Sequence, residues 1–332
     1  MHFYSNLYNE FNRIFSMKVS KTRLIGLTLG FLKYNVVQYV VGFPEDIDKI
    51  IRKKVESRRF RIKDIDQLKT VDDVFNQYTI DALRELMNRH IVDEVYGPVA
   101  QGKEAKVIWA KAPDGNDIAL KIFYTTTAQF IKGRYKYLLG DPRFAGIKIS
   151  NTRKLIEYWC KKEFSNLSDA YNAGVRVPRP IAFNKNILVM EFVNYDGYSG
   201  IPAPLIKDSP PEDPERAYLT IIKYIERAFI LGEIIHADLS EFNIVNTGNE
   251  LVIIDWGSAV KTSHPNAVEF LMRDIENINR YFGKELNVDV VNSKALLNVL
   301  LRRYDHRRSV VESEDGWLII DGKVLLDDLG YQ

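Results

Sequence analysis

The run His236-Ala237-Asp238-Leu239-Ser240-Glu241-Phe242-Asn243, followed by Ile253-Ile254-Asp255-Trp256-Gly257, constrains this chain more than any other stretch. Between the two halves, Ile244-Val245, the turn Thr247-Gly248-Asn249 and the apolar run Leu251 to Ile254 predict a β-hairpin. A hairpin returns the chain on itself, so Asn243 at its start and Asp255 at its end should lie close together, with Asp238 nearby. Three oxygen-bearing side chains then converge. Hard Mg²⁺ takes such ligands and completes its shell with phosphate and water, while a free carboxylate orients an attacking nucleophile. Metal binding is therefore assigned to Asn243 and Asp255, and the nucleophile-positioning base to Asp238.

A surface turn rich in Asp and Asn would not require the order Asp, four residues, Asn, strand, Asp, Trp, Gly, which reproduces the catalytic-loop spacing of protein kinases. Upstream, Ala119-Leu120-Lys121-Ile122 places a cation inside a β run, where burial is costly without an anionic partner. ATP phosphates supply one. Its second partner, in the lysine-glutamate arrangement of kinases, is expected to be Glu163 on the helix from Arg153 to Tyr171, with Glu157 as a rival. Gly97 to Ala105 stands where a phosphate-covering loop would sit, and Gly102, Lys103 and Glu104 are its candidate contacts, although only two glycines remain there. Met190-Glu191-Phe192 ends a strand at the expected lobe boundary, where backbone groups can hydrogen-bond adenine between apolar walls.

The element pattern predicts an α+β, two-lobed kinase-like fold. Val107–Ala110 and Ile118–Phe123, joined by Pro113-Asp114-Gly115-Asn116, form a hairpin in a β-rich N-lobe. A helix from Thr79, with Thr79 as cap, leads into it, and a charged loop spans Tyr124 to Ser150. The lobes divide near Asn194. Pro214 and Pro265 then open helices of an α-rich C-lobe, the second with Val268, Leu271, Ile275, Ile278 and Phe282 on one stripe. The expected layout is an accessory module over 1–70, N-lobe 71–193, C-lobe 194–284 and an extension over 285–332. In that extension Trp317–Ile320, Asp321-Gly322 and Lys323–Leu326 read as a two-residue hairpin.

Charge excludes a global field for nucleic acid or membrane, since 46 basic side chains face 44 acidic ones and the net charge is +2. The basic run between Arg52 and Lys63 is a local exception that could meet RNA phosphates, with a solvated helix face as the plainer reading. Leu24 to Val41 has the length of a membrane span, but Lys33, Asn35 and Gln38 would be costly in hydrocarbon, so a buried or partner-facing unit is expected instead. The lone Cys160 and the absence of a secretory leader pattern point to the reducing cytoplasm.

From about Val71 to Phe282 the chain resembles the RIO family of atypical serine/threonine kinases, most closely its type-one branch. Gln101 to Ala105 is similar to that family's Ser-Thr-Gly-Lys-Glu-Ala loop, with Ala100 and Gln101 in place of its small hydroxyl residues; His236 to Asn243 is similar to its catalytic loop, and His264-Pro265-Asn266-Ala267 with Glu269-Phe270-Leu271 to the helix that follows. The resemblance implies ATP with Mg²⁺ (or Mn²⁺) as cofactors, autophosphorylation on serine or threonine, and a part in small ribosomal subunit maturation, with the pre-ribosomal subunit and its RNA as partners. In that family the metal-binding aspartate can itself take the phosphoryl group; here that residue is Asp255. Two other readings are a nucleotide-binding assembly factor with little phosphotransfer, and a small-molecule kinase of the aminoglycoside or choline type.

Overall fold

The computed structural model describes residues 74–125, 137, 141, 143 and 151–330. The accessory module, the Leu24–Val41 run, the basic run before Lys63 and most of the Tyr124–Ser150 loop lie outside the described residues. Helix α1 (Gln77–Asn88) precedes strands β1 (Glu94–Gln101), β2 (Ala105–Lys111) and β3 (Asp117–Phe123). Helix α2 (Thr152–Asn172) and strands β4 (Pro180–Asn184) and β5 (Ile187–Glu191) complete the first half. Five strands form one antiparallel sheet in the order β1-β2-β3-β5-β4.

Alternation along β3 sets what each face of this sheet does. Ile118, Leu120 and Ile122 pack with Ile80, Leu83 and Leu86 of α1, whereas Phe123 packs with Leu155, Ile156 and Trp159 of α2. Lys121 shares the second parity, so its chain leaves the sheet on the α2 side. Asn76, rather than Thr79, caps α1: its Oδ1 accepts from Thr79 N at 3.1 Å. Thr79 is instead buried, and its hydroxyl accepts from Asn186 Nδ2 at 3.0 Å.

The second half is mainly helical: α3 (Pro214–Ile230), α4 (Ala267–Arg280) and α5 (Ser293–Asp305), with short strands β6 (Ile234–Ile235), β7 (Ile244–Asn246), β8 (Leu251–Ile253) and β9 (Val260–Lys261). Its core joins Tyr218, Ile221 and Ile222 of α3 to Phe270, Leu271, Ile275 and Ile278 of α4. Val268 is not on that stripe, being 49% exposed; Ala267 takes the inward position.

The expected C-terminal hairpin is displaced. Strand β11 (Leu318–Ile319) pairs backwards with β10 (Val311–Glu312), Asp321-Gly322 closes only an isolated Ile320–Lys323 bridge, and Leu325–Leu329 is a short helix, α6. One local contact and one tertiary contact favour the helix over a strand. Asp327 Oδ2 accepts from Val324 N at 3.1 Å, and Asp328 is drawn onto Arg302 and Arg303 of α5 at 2.8 Å each. Among the described residues no helix is long and apolar enough to cross a membrane.

Candidate active site

Strand β3 delivers Lys121 to two carboxylates from distant parts of the chain. Its ammonium lies 2.6 Å from Glu163 Oε1 on α2 and 2.8 Å from Asp255 Oδ1 after β8. Burial pulls this lysine's pKa down, but the charges and hydrogen bonds of Asp255 and Glu163 outweigh it and leave the pKa raised. Glu157 is occupied elsewhere, accepting from Tyr78 Oη and from Lys154 Nζ.

The catalytic-loop segment connects β6 to β7. Strands β7 and β8 pair as a hairpin, Ile244 with Ile253 and Asn246 with Leu251, and Ile254 N donates to Asn243 O at 2.9 Å just below its foot. Asn243 and Asp255 therefore flank the hairpin's open end. Asn243 Nδ2 donates to the Asp238 carbonyl at 2.8 Å, which leaves the amide oxygen as the acceptor this side chain can offer a cation. Asp238 is exposed. Asp255 adopts a left-handed backbone, φ 63° and ψ 64°, with its side chain 46% exposed.

A second set of residues holds this loop from below, and the sequence reading missed it. Asp274 on α4, 2% exposed, accepts from Ala237 N at 2.7 Å and Leu239 N at 2.9 Å. Arg273 donates to Ala237 O, Asn277 Nδ2 to Leu239 O at 3.0 Å, and Arg280 Nη2 to both Glu241 oxygens at 2.7 Å. Ala237 sits at φ 63°, a conformation unfavourable for a residue with a Cβ, so these bonds offset its strain. One signal was available: Asp274 falls on the apolar stripe of α4, beside Leu271, Ile275 and Ile278, where an unpartnered carboxylate would be costly.

The other candidates divide. Gly102 and Lys103 are exposed in the β1–β2 turn, closed by Gly102 N donating to Ala105 O at 2.9 Å, and Glu104 O accepts from Tyr124 N at 3.0 Å. A Cβ at Gly102 would meet only Ala105 O at 3.5 Å, so the fold itself does not demand glycine there. Phe192 is buried with Tyr96, Val99, Trp109 and Ala119, with Met190 packed against them, and Val193 and Ile254 pack on a separate cluster with Val245 and Val252. The Glu191 carboxylate is not open to a ligand: it accepts from Arg176 Nη1 and Nη2 at 2.9 and 2.8 Å and from Arg179 N at 3.0 Å. The Glu191 backbone N–H is engaged as well, donating to Arg179 O at 2.9 Å.

The family model for the RIO domain matches residues 106–296. The chain belongs to the RIO family. It is 39% identical over 244 residues to the RIO-type serine/threonine-protein kinase Rio1 of Haloferax volcanii, covering 73% of this chain and 82% of that one. Against Rio1 of Methanocaldococcus jannaschii it is 36% identical, covering 72% of this chain and 79% of that one. It spans less of the human serine/threonine-protein kinase RIO1, 36% identical over 71% of this chain and 42% of that protein. These relatives place it on the type-one branch and carry the enzyme class expected from its motifs. In solved structures it is similar to two structures of the Rio2 kinase of Chaetomium thermophilum. One matches with a TM-score of 0.52 at 24% identity over 67% of each chain. The other, an ADP/Mg²⁺-phosphoaspartate complex, matches with a TM-score of 0.51 at 23% identity over 76% of this chain and 74% of that one. Both show the shared two-lobed fold.

In this RIO chain the loop anchor should leave a pH signature. Burial pushes Asp274 up to about 7, although the amides of Leu239 and Ala237 favour its carboxylate. An unfolded aspartate ionises near pH ~4, so above that the folded state keeps the extra proton and stability falls as pH rises. Wild type should therefore lose stability relative to Asp274→Asn as pH rises from roughly 4 to 7. Buried His236 is common to both proteins and cancels in the comparison. Urea denaturation at closely spaced pH values reads the difference; a wild-type advantage that grows with pH would show that the amides dominate over burial.

Proposed function

We propose that this RIO-family chain binds Mg-ATP at Lys121, Asn243 and Asp255 and transfers the γ-phosphoryl group to a nucleophile oriented by Asp238. One observation carries the reading: β3, α2 and the β7–β8 hairpin bring Lys121, Glu163, Asn243 and Asp255 to one place, with an ammonium between two carboxylates. The donors fit Mg²⁺, because the amide oxygen of Asn243 and the carboxylate of Asp255 are hard oxygen ligands and the latter is solvent-accessible. Mg²⁺ bound there supplies charge neutralisation for the phosphates. Lys121 would meet the phosphates while Glu163 keeps it oriented. Asp238 would accept a hydrogen bond from the acceptor hydroxyl, and Asp274 would keep that carboxylate in place through the loop backbone.

The connection after Asp255 is short, a 3-10 turn at Trp256–Ser258 and the two residues of β9 before α4. Kinases that act on peptides use a long segment there as a platform. Its shortness favours slow ATP hydrolysis and modest autophosphorylation over rapid peptide phosphorylation, because held geometry can contribute roughly 7–11 kcal/mol to such a reaction. Asp255 itself is a candidate acceptor: a carboxylate oxygen attacks the γ-phosphorus, the bond to the β-phosphate oxygen breaks, ADP leaves, and water later cleaves the acyl phosphate. The phosphoaspartate of the similar Rio2 structure supports this route. Resemblance to the family further supports a cytoplasmic role in small ribosomal subunit maturation.

Asp255→Asn should leave the fold intact and weaken Mg²⁺-dependent ATP binding, which calorimetry with and without Mg²⁺ reads directly. Full Mg-ATP affinity in the folded variant would overturn the metal assignment. Labelled ATP in a single turnover, with and without small-subunit precursors, separates label on protein, inorganic phosphate and a small-molecule acceptor.

A further inference from the structure

Helix α2 contributes more than Glu163. The preceding residue, Lys162, is fully buried, and its ammonium donates to Gly257 O at 3.0 Å and to Ala259 O. One turn on, buried Asn166 donates from Nδ2 to Trp256 O at 2.8 Å and Ala259 O at 3.0 Å. The segment just after Asp255 is thus fastened by its carbonyls to the helix that carries the Lys121 partner. Gly257 makes this closeness sterically feasible: a Cβ there would stand 2.9 Å from Glu163 Oε2 and 3.2 Å from Trp159 Nε1. Burial pushes the Asp141 carboxyl up, but Arg143 outweighs that and holds it low, with Lys162 a lesser contributor, so a buried carboxylate balances part of the ammonium's charge. A buried ammonium is costly to desolvate, and a leucine would fill the space at lower cost if packing were its whole purpose.

We propose that Lys162 is a positioning residue that holds Asp255 in its left-handed conformation against Lys121, an inference that rests on the reading of Asp255 as a metal ligand. Adjacent residues of one helix then set both ends of the site, Glu163 through Lys121 and Lys162 through the backbone after Asp255. Helix α2 cannot swing outward without releasing four hydrogen bonds to residues 256–259.

Two measurements on the full chain test this. Without nucleotide, Lys162→Met should speed hydrogen exchange at residues 256–261 by on the order of tenfold or more, since those amides follow local opening. With ATP, calorimetry should show that Lys162→Met loses the gain in affinity conferred by Mg²⁺, while Lys162→Gln, whose amide still donates, retains part of it. Turnover should fall by roughly 10²-fold in Lys162→Met, the effect of a misplacement near 1 Å. A lysine that served stability alone would lower the melting temperature yet leave the Mg²⁺ gain of the folded protein intact, and that result would overturn the proposal. If Lys162→Met does not fold, Lys162→Gln carries both readouts, and wild-type exchange with a full Mg²⁺ gain overturns it equally. Asp255→Asn run in parallel separates the failures: its keeping the Mg²⁺ gain refutes the metal-site reading, whereas its losing the gain while the Lys162 variants keep it refutes the positioning role alone.

Discussion

Asp238→Asn should lower phosphoryl transfer to a hydroxyl by about 10²–10⁴-fold, the range a positioned general base contributes. Asparagine has the size of aspartate but cannot take a proton from the attacking group. The substitution is conservative here because the neighbouring bonds go to the loop backbone: Asn243 Nδ2 donates to the residue 238 carbonyl, and Asp274 accepts from the amides on either side. The side chain itself is exposed. Mg-ATP affinity should remain at the wild-type level, since Lys121, Asn243 and Asp255 are untouched. Single-turnover transfer and calorimetric affinity, measured on one preparation, form the test. Wild-type transfer from the folded variant would remove Asp238 from the mechanism.

Arg303→Ala should destabilise the protein by about 3–5 kcal/mol, the cost of breaking a buried ion pair from one side. Arg303 on α5 is 2% exposed, and its guanidinium bonds Glu226 Oε1 of α3 at 2.8 Å, Asp328 Oδ2 of α6 at 2.8 Å and Leu318 O at 2.6 Å. Three separate elements meet on one side chain. Removing it leaves Glu226, itself fully buried, without its counter-charge, and burial already pushes that carboxyl up to about 7. The double variant Arg303→Met with Glu226→Gln should recover much of the loss, because neither residue then carries an uncompensated charge. Urea denaturation of wild type, Arg303→Met, Glu226→Gln and the double variant gives the coupling. Equal loss in single and double variants would mean that packing of the Arg303 stem, rather than the pair, is what matters.

The Asn243–Asp255 juxtaposition was legible because it is local. Short apolar runs on both sides of Thr247-Gly248-Asn249 favour a hairpin, and a hairpin's ends meet. Helix α3 was legible for the same reason, since Pro214 marks its first turn; the structure adds Asp213 as the cap, its Oδ1 accepting from Arg216 N at 3.0 Å. The C-terminal extension went the other way. Asp321-Gly322 between apolar runs has hairpin chemistry, but Asp328 bonds Arg302 and Arg303 and Leu318 is fully buried, so contacts with α5 override the local preference.

The choice of Glu163 over Glu157, the fastening of residues 256–259 by Lys162 and Asn166, and the support of the catalytic loop by Asp274 all join residues far apart in the chain. Local patterning specifies which residues share a helix face or a hairpin end, and together with the kinase-like loop spacing it singled out Lys121, Asp238, Asn243 and Asp255 as candidates. Which buried charge meets which partner depends on how helices seat against the sheet and against each other, a matter of side-chain packing summed over the whole core. Periodicity carries no record of that packing, so Lys162, Asp274 and Arg303 stood in sequence as ordinary charged residues and acquired their roles only when the core closed around them.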